Sequence, residues 1–135
     1  MSTYYKLFKQ TNDPRNCGDL TLFAEGFLRI IRTSSESLNA SLLKRLEKMT
    51  FFRNQLLKRF PNDRHFRVLH ILMLNTLFGY RGLTLPELAA ACGMDEPLTA
   101  VLLQTLATQT PLVVLYREGE HTMYEVNLER LAEIP

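Results

Sequence analysis

The sequence predicts a mostly α-helical chain that ends in a small β-hairpin. Three observations predict it: apolar residues recur at helical spacing over most of residues 19–108, two β-rich runs near the C-terminus flank a short Gly-containing turn, and the 135 residues contain no long linker or internal repeat. With 46% hydrophobic and 22% charged residues, a chain of this length can bury a core without disulfides or a structural metal. It reads as a single domain, residues 1–135, with N-terminal helices in 1–63 and a second part in 64–128.

Each element has its own signal. Leu20, Phe23, Ala24, Phe27, Ile30 and Ile31 recur at i, i+3, i+4, i+7 behind Asp19, a candidate N-cap, which predicts an amphipathic helix over 19–32. The polar run Thr33-Ser34-Ser35-Glu36-Ser37 predicts a break. A second helix follows, with Leu38, Leu42, Leu46, Met49, Phe52, Leu56 and Phe60 on one stripe and Pro61 as its stop. Its other face carries Lys44, Arg45, Lys48, Arg53, Lys58 and Arg59 against a single acid, Glu47. Asn62-Asp63 can cap a third helix over 64–78, in which Phe66, Leu69, Met73 and Leu77 are joined by Ile71, Leu72, Leu74 and Phe78, so that helix should be largely buried.

The formal charge of +2 hides an asymmetry. Residues 1–81 hold fourteen Lys and Arg against six acids, a net +8; residues 82–135 hold two against eight, a net −6. Such a split points to an anionic partner for the first part, or to complementarity with another protein or subunit. Cys17 and Cys92 match no zinc spacing, and His65, His70 and His121 form no ligand pair, so no metal or other cofactor is expected. The start MSTYYKLFKQ has no leader-like apolar run, which points to a reducing, cytoplasmic setting. Residues 97–116 carry no charge, but Pro97, Pro111, Gln104, Gln109 and four threonines interrupt them, so a membrane span is not expected. No Gly-rich phosphate loop, GxSxG elbow or Cys–His pair suggests an enzyme.

Leu83-Thr84-Leu85-Pro86-Glu87-Leu88-Ala89-Ala90-Ala91-Cys92-Gly93-Met94-Asp95 has helix-turn-helix grammar. Thr84 and Glu87 form a capping box, Pro86 fits the first turn, Gly93 supplies a tight turn, and Asp95 caps a helix running to about Thr108. Leu112–Arg117 and His121–Asn127 then flank Glu118-Gly119-Glu120 as a hairpin. Over residues 64–128 this order resembles winged helix-turn-helix regulators of the MarR and ArsR type, with two amphipathic helices ahead of it where such regulators dimerise. The resemblance implies a homodimeric, double-stranded-DNA-binding transcription regulator whose second helix enters the major groove while the wing reaches the backbone.

At 100° per residue, Thr99, Leu102, Leu103 and Leu106 point inward, leaving Pro97, Ala100, Val101, Gln104, Thr105 and Thr108 for the groove. Gln104 and Thr105 can read bases, and Val101 can meet a thymine methyl. Phosphate contacts are then expected from Lys44, Arg45, Lys48, Arg64, Arg67 and Arg81, with Arg117 and His121 on the wing. The departure from the family pattern is the absence of Lys and Arg on the reading helix. It supports an alternative in which the uncharged face of helix 96–108 docks a protein partner.

Overall fold

The computed structural model describes residues 2–61 and 63–135. It is mostly helical with one two-stranded antiparallel hairpin: α1 (Thr3–Thr11), a 3-10 turn (Pro14–Asn16), α2 (Thr21–Arg59), α3 (Arg64–Phe78), α4 (Leu85–Cys92), α5 (Glu96–Thr108), β1 (Val113–Glu118), β2 (His121–Val126) and α6 (Leu128–Ala132). Contacts divide the chain into two compact units, Met1–Lys44 and Arg45–Pro135.

In the N-terminal unit, α1 folds back on the start of α2 through edge-to-face and stacked aromatic rings. Phe8 meets Tyr4 at 5.1 Å and Phe23 at 5.3 Å between centroids, and Phe23 stacks on Phe27 at 5.9 Å. Gly26 permits the close approach, because a Cβ there would stand 2.5 Å from a Leu7 methyl. The reversal uses Cys17 and Gly18 at positive φ, and Asn16 ties the turn by donating to the Asp19 carbonyl at 2.6 Å. No described residue of this unit is buried.

The break expected at Thr33–Ser37 does not occur, because α2 is continuous through it. Ile31 and Leu38 are seven residues apart and therefore in phase, so the apolar stripe crosses the polar run without turning away. Weak helix formers cost only tenths of a kcal/mol each. Asp19 does not cap directly before the first helical residue; its carboxylate accepts from the Thr21 amide at 2.9 Å. Of the expected stripe, Leu38, Leu42 and Leu46 lie exposed, Met49 and Phe60 are half-buried, and only Phe52 and Leu56 are buried.

The core of the C-terminal unit is built on α3. Val68, Leu69, Leu72 and Met73 have no exposed surface, and Leu77 is buried, while Phe78 is 38% exposed. Asp63 caps α3 through the Arg64 amide; the other residue of the expected cap, Asn62, lies outside the described residues. The same core holds Phe52 and Leu56 of α2, Leu88 and Cys92 of α4, Leu102, Leu103 and Leu106 of α5, and Val113 and Val126 of the hairpin; α4, α5 and β2 lie directly against α3. Helix α6, which carries no long periodic run, closes this core with Leu131, followed by Ile134.

The hairpin register runs from Val113 opposite Val126 to Glu118 opposite His121, with Gly119 at φ +63 opening a two-residue turn. Leu83, just before α4, exchanges both backbone hydrogen bonds with Tyr124, at 3.0 and 2.8 Å, and so joins the edge of β2. The Tyr116 hydroxyl accepts from the Gly82 amide at 2.8 Å. Together these bonds fix the hairpin against the entrance of α4.

Gly82 is the residue this junction tolerates least well when enlarged, since its Cβ would meet the Tyr124 carbonyl at 2.9 Å and the Tyr116 hydroxyl at 3.0 Å. Gly82→Ala is expected to lose about 1–3 kcal/mol of stability by overpacking. Denaturant titration of the two proteins measures it; equal midpoints would show that the junction gives way without cost.

Candidate functional site

The most structured surface of the C-terminal unit is the α4–turn–α5 pair with the hairpin beside it. Helix α4 begins with the expected capping box: Glu87 accepts from the Thr84 amide at 2.9 Å, and the Thr84 hydroxyl accepts from the Glu87 amide. Gly93 ends it at φ +65, a left-handed position that suits glycine. Met94 is half-buried against the core, and Asp95 caps α5 by accepting from the Leu98 amide at 3.2 Å. Thr99, Leu102, Leu103 and Leu106 face inward and are buried. The Thr99 hydroxyl is satisfied by the Asp95 carbonyl at 2.8 Å.

The outward face of α5 follows the expected pattern in position. Pro97, Val101, Gln104 and Thr108 are exposed, and Ala100 and Thr105 are half-buried. Thr105 donates to the Val101 carbonyl at 3.0 Å and Thr108 to the Gln104 carbonyl at 2.7 Å. Their hydroxyl protons are committed to the helix, so toward a ligand they offer lone pairs and methyl groups. The Gln104 amide makes no intramolecular side-chain hydrogen bond among the described residues and keeps both donor and acceptor for a partner.

The cations are distributed unequally in their availability. Arg81 is half-buried and its guanidinium is committed: it grips the Glu87 carboxylate at 2.7 and 3.1 Å and donates to the Gly82 carbonyl at 3.0 Å. Those bonds hold Glu87 down to about 2, with the Thr84 amide as the next contributor, and push Arg81 further above its ordinary value. Arg130 pairs with Glu133 at 3.0 Å. On the hairpin, Arg117 is exposed and reaches the Glu120 carbonyl at 3.4 Å, and exposed His121 stands across from Glu118.

By contrast, no ion pair among the described residues involves Arg45, Lys48, Arg53, Lys58, Arg59, Arg64 or Arg67. Across Arg45–Arg67 these seven meet only Glu47 and Asp63, an excess of five positive charges. All seven are exposed. Arg67 donates to the Cys92 carbonyl at 3.2 Å, at the C-terminal end of α4 where a cation is favoured. That contact places it, with Arg64 one turn earlier on the same face of α3, beside the turn that leads into α5. Lys44 is also exposed and is the last residue of the N-terminal unit.

Tyr80 and Phe51 are exposed aromatic residues that no motif singled out. Tyr80 is 93% exposed, and the Arg81 guanidinium carbon stands 5.9 Å from its ring centre; Phe51 is 49% exposed in the basic stretch of α2. Their signal was position: Phe51 lies off the apolar stripe, and Tyr80 stands between α3 and α4, flanked by Gly79 and Gly82. Cys92 is buried, and burial pushes its thiol up, which makes it a packing residue, while Cys17 is exposed. Half-buried His70 stacks on Phe66 at 5.2 Å and is pushed down by burial and by nearby Arg53. Among the described residues, no three of His, Cys, Asp and Glu gather as a metal site, and no helix is long and apolar enough to cross a membrane.

The Arg81–Glu87 pair makes a pH prediction. Glu87 titrates lower in the folded chain than when unfolded, so its stabilising contribution is present above about pH 4.5, its ordinary value, and is lost as pH falls toward about 2. The melting temperature of Glu87→Gln should lie below wild type at pH 7, and the gap should narrow steadily below pH 4.5. A gap independent of pH would show that the carboxylate charge contributes nothing. No protein family, curated protein or solved structure matches the chain, so its chemistry is taken from its own residues.

Proposed function

We propose that the chain is a DNA-binding regulator of transcription with winged-helix architecture and no enzymatic activity. The observation that carries the reading is the set of seven exposed cations from Arg45 to Arg67 without acidic partners, of which Arg64 and Arg67 stand beside the turn into α5. Free cations next to a helix pair of this kind suit a polyanion, and phosphate neutralisation supplies most of the affinity for DNA. The order α3, α4, Gly93 turn, α5, hairpin suits the architecture. Helix α5 then supplies discrimination: Gln104 can pair with an adenine edge, Thr105 can accept from a base amine, and Pro97, Ala100 and Val101 can meet a thymine methyl. Arg117 and His121 serve the wing, and Arg81 serves the fold of α4 rather than a phosphate.

The uncharged outward face of α5 favours a second reading of that face alone. Val101 is 60% exposed, no Lys or Arg lies on the helix, and Asp95 and Glu96 stand at its N-terminus, which suits docking on a protein better than approach to phosphate.

Fluorescence anisotropy with labelled duplexes separates the two. Duplex affinity should fall by roughly a hundredfold between 50 and 200 mM salt for about four phosphate contacts. Arg45→Glu, Lys48→Glu and Arg64→Glu should each weaken all duplexes alike, while Gln104→Ala should narrow the difference between sequences. No duplex binding at low salt would overturn the DNA reading. In that case Val101→Glu should abolish capture of a protein partner at an unchanged melting temperature.

A further inference from the structure

The basic stretch of α2 carries an aromatic ring that the fold does not bury. Phe51 is 49% exposed, whereas the next residue, Phe52, is buried in the core and meets it edge to face, with ring centres 5.2 Å apart at 71°. Contact with a ring anchored in the core limits how Phe51 can turn. The cations that stand over rings among the described residues, Arg59 on Phe60 and Arg81 on Tyr80, are not on it.

Its neighbours along the helix are cationic and polar. Lys48, Phe51, Gln55 and Lys58 follow one another by three, four and three residues and so share one face. Lys48 and Lys58 are exposed and enter no ion pair among the described residues. At 1.5 Å per residue they bracket the ring at roughly 4.5 Å and roughly 10.5 Å along the axis. The one acid of the stretch, Glu47, stands a turn before Phe51 on the flank away from Lys48 and Gln55. Gln55 adds an unmet acceptor. It is half-buried, and its Oε1 is enclosed without a hydrogen-bond partner among the described residues. An enclosed oxygen without a donor is costly, and a ligand that draws the amide outward and donates to it removes that penalty.

We propose that this face binds unpaired DNA. One base stacks on Phe51, the phosphates on either side of it meet Lys48 and Lys58, and the Gln55 oxygen accepts from the exocyclic amine of a base. Stacking alone tolerates any sequence, because every base has a π-face. The unmet acceptor makes the choice: cytosine brings an N4 donor where thymine brings an O4 acceptor. In a duplex the bases are stacked on one another, so their faces are closed to Phe51. An acidic peptide side chain would meet the lysines and leave the Gln55 oxygen without a donor, since a carboxylate only accepts. The cations are among those that the duplex reading uses, but this face needs neither α5 nor the hairpin, and it stands whether or not a duplex meets them.

Fluorescence anisotropy of the full chain at low salt, with labelled oligo(dC), oligo(dT) and a duplex of equal length, tests this. Oligo(dC) should bind roughly fivefold more tightly than oligo(dT), and Gln55→Leu should erase that difference. A difference that survives overturns the part given to the amide. Phe51→Ala should weaken oligo(dC) by roughly tenfold at an unchanged melting temperature and leave duplex affinity as it is. No loss, or an equal loss on the duplex, overturns the proposal, and tighter binding of oligo(rC) than of oligo(dC) overturns the assignment to DNA. The chain contains no Trp, so Phe51→Trp provides a single reporter whose emission oligo(dC) should quench and polyglutamate should not. Bound oligo(dC) without quenching, or equal quenching by polyglutamate, overturns the stacking. Duplex binding without oligo(dC) binding sinks this proposal and leaves the regulator reading intact; the reverse sinks the duplex reading alone.

Discussion

The burial of α3 is the constraint on which the C-terminal unit depends. Val68, Leu69, Leu72 and Met73 are fully enclosed, and no single neighbour could enclose them. Residues of α2, α4, α5, the hairpin and the segment after β2 join the same buried cluster. A fifteen-residue helix with so wide an apolar face therefore calls for amphipathic pieces around it, each with one outward polar face. The outward faces are the surfaces left for binding. Those of α2 and α3 are basic, that of α5 is uncharged, and the hairpin turn is acidic.

Within this unit the acids and cations follow different economies. The acidic residues around α4 and α6 are used locally: Glu87 holds Arg81 and caps α4, and Glu133 holds Arg130. What remains as net field is the surplus on the basic stretch, which no side chain of the described residues neutralises. An exposed pair such as Arg130–Glu133 adds little to stability. Its consequence is electrostatic, because it removes a cation from the surface that a polyanion would meet.

Much of this was legible in the sequence where signals are local. The capping box at Thr84 and Glu87, the positive-φ Gly93, the Asp95 cap, the inward set of α5 and the hairpin around Gly119 all follow from chemistry within four residues. Helix α6 escaped because five residues carry too little periodicity, and α1 because its partner contact, Leu7 on Gly26, is nonlocal. The false break at Thr33–Ser37 came from weighing propensity above phase. The commitment of Arg81 to Glu87 was hidden for a different reason: six residues apart across a loop, they meet only once Gly82 is held between Tyr116 and the start of α4. The basic helix's stripe runs on through Leu38, Leu42 and Leu46, which lie exposed: periodicity shows that a face is apolar and cannot show whether the same chain covers it.

That last distinction bears on how a chain of this size could recognise a long polymer. If the chain binds DNA as proposed, a helix face without cations gains little from phosphate, so α5 would refine the choice among sequences and could not hold DNA by itself. On that proposal the surplus on α2 and α3 would supply attraction that is indifferent to sequence. One copy would then bind with modest affinity and weak preference, and two joined copies would square the discrimination of the α5 faces while making the second contact effectively intramolecular.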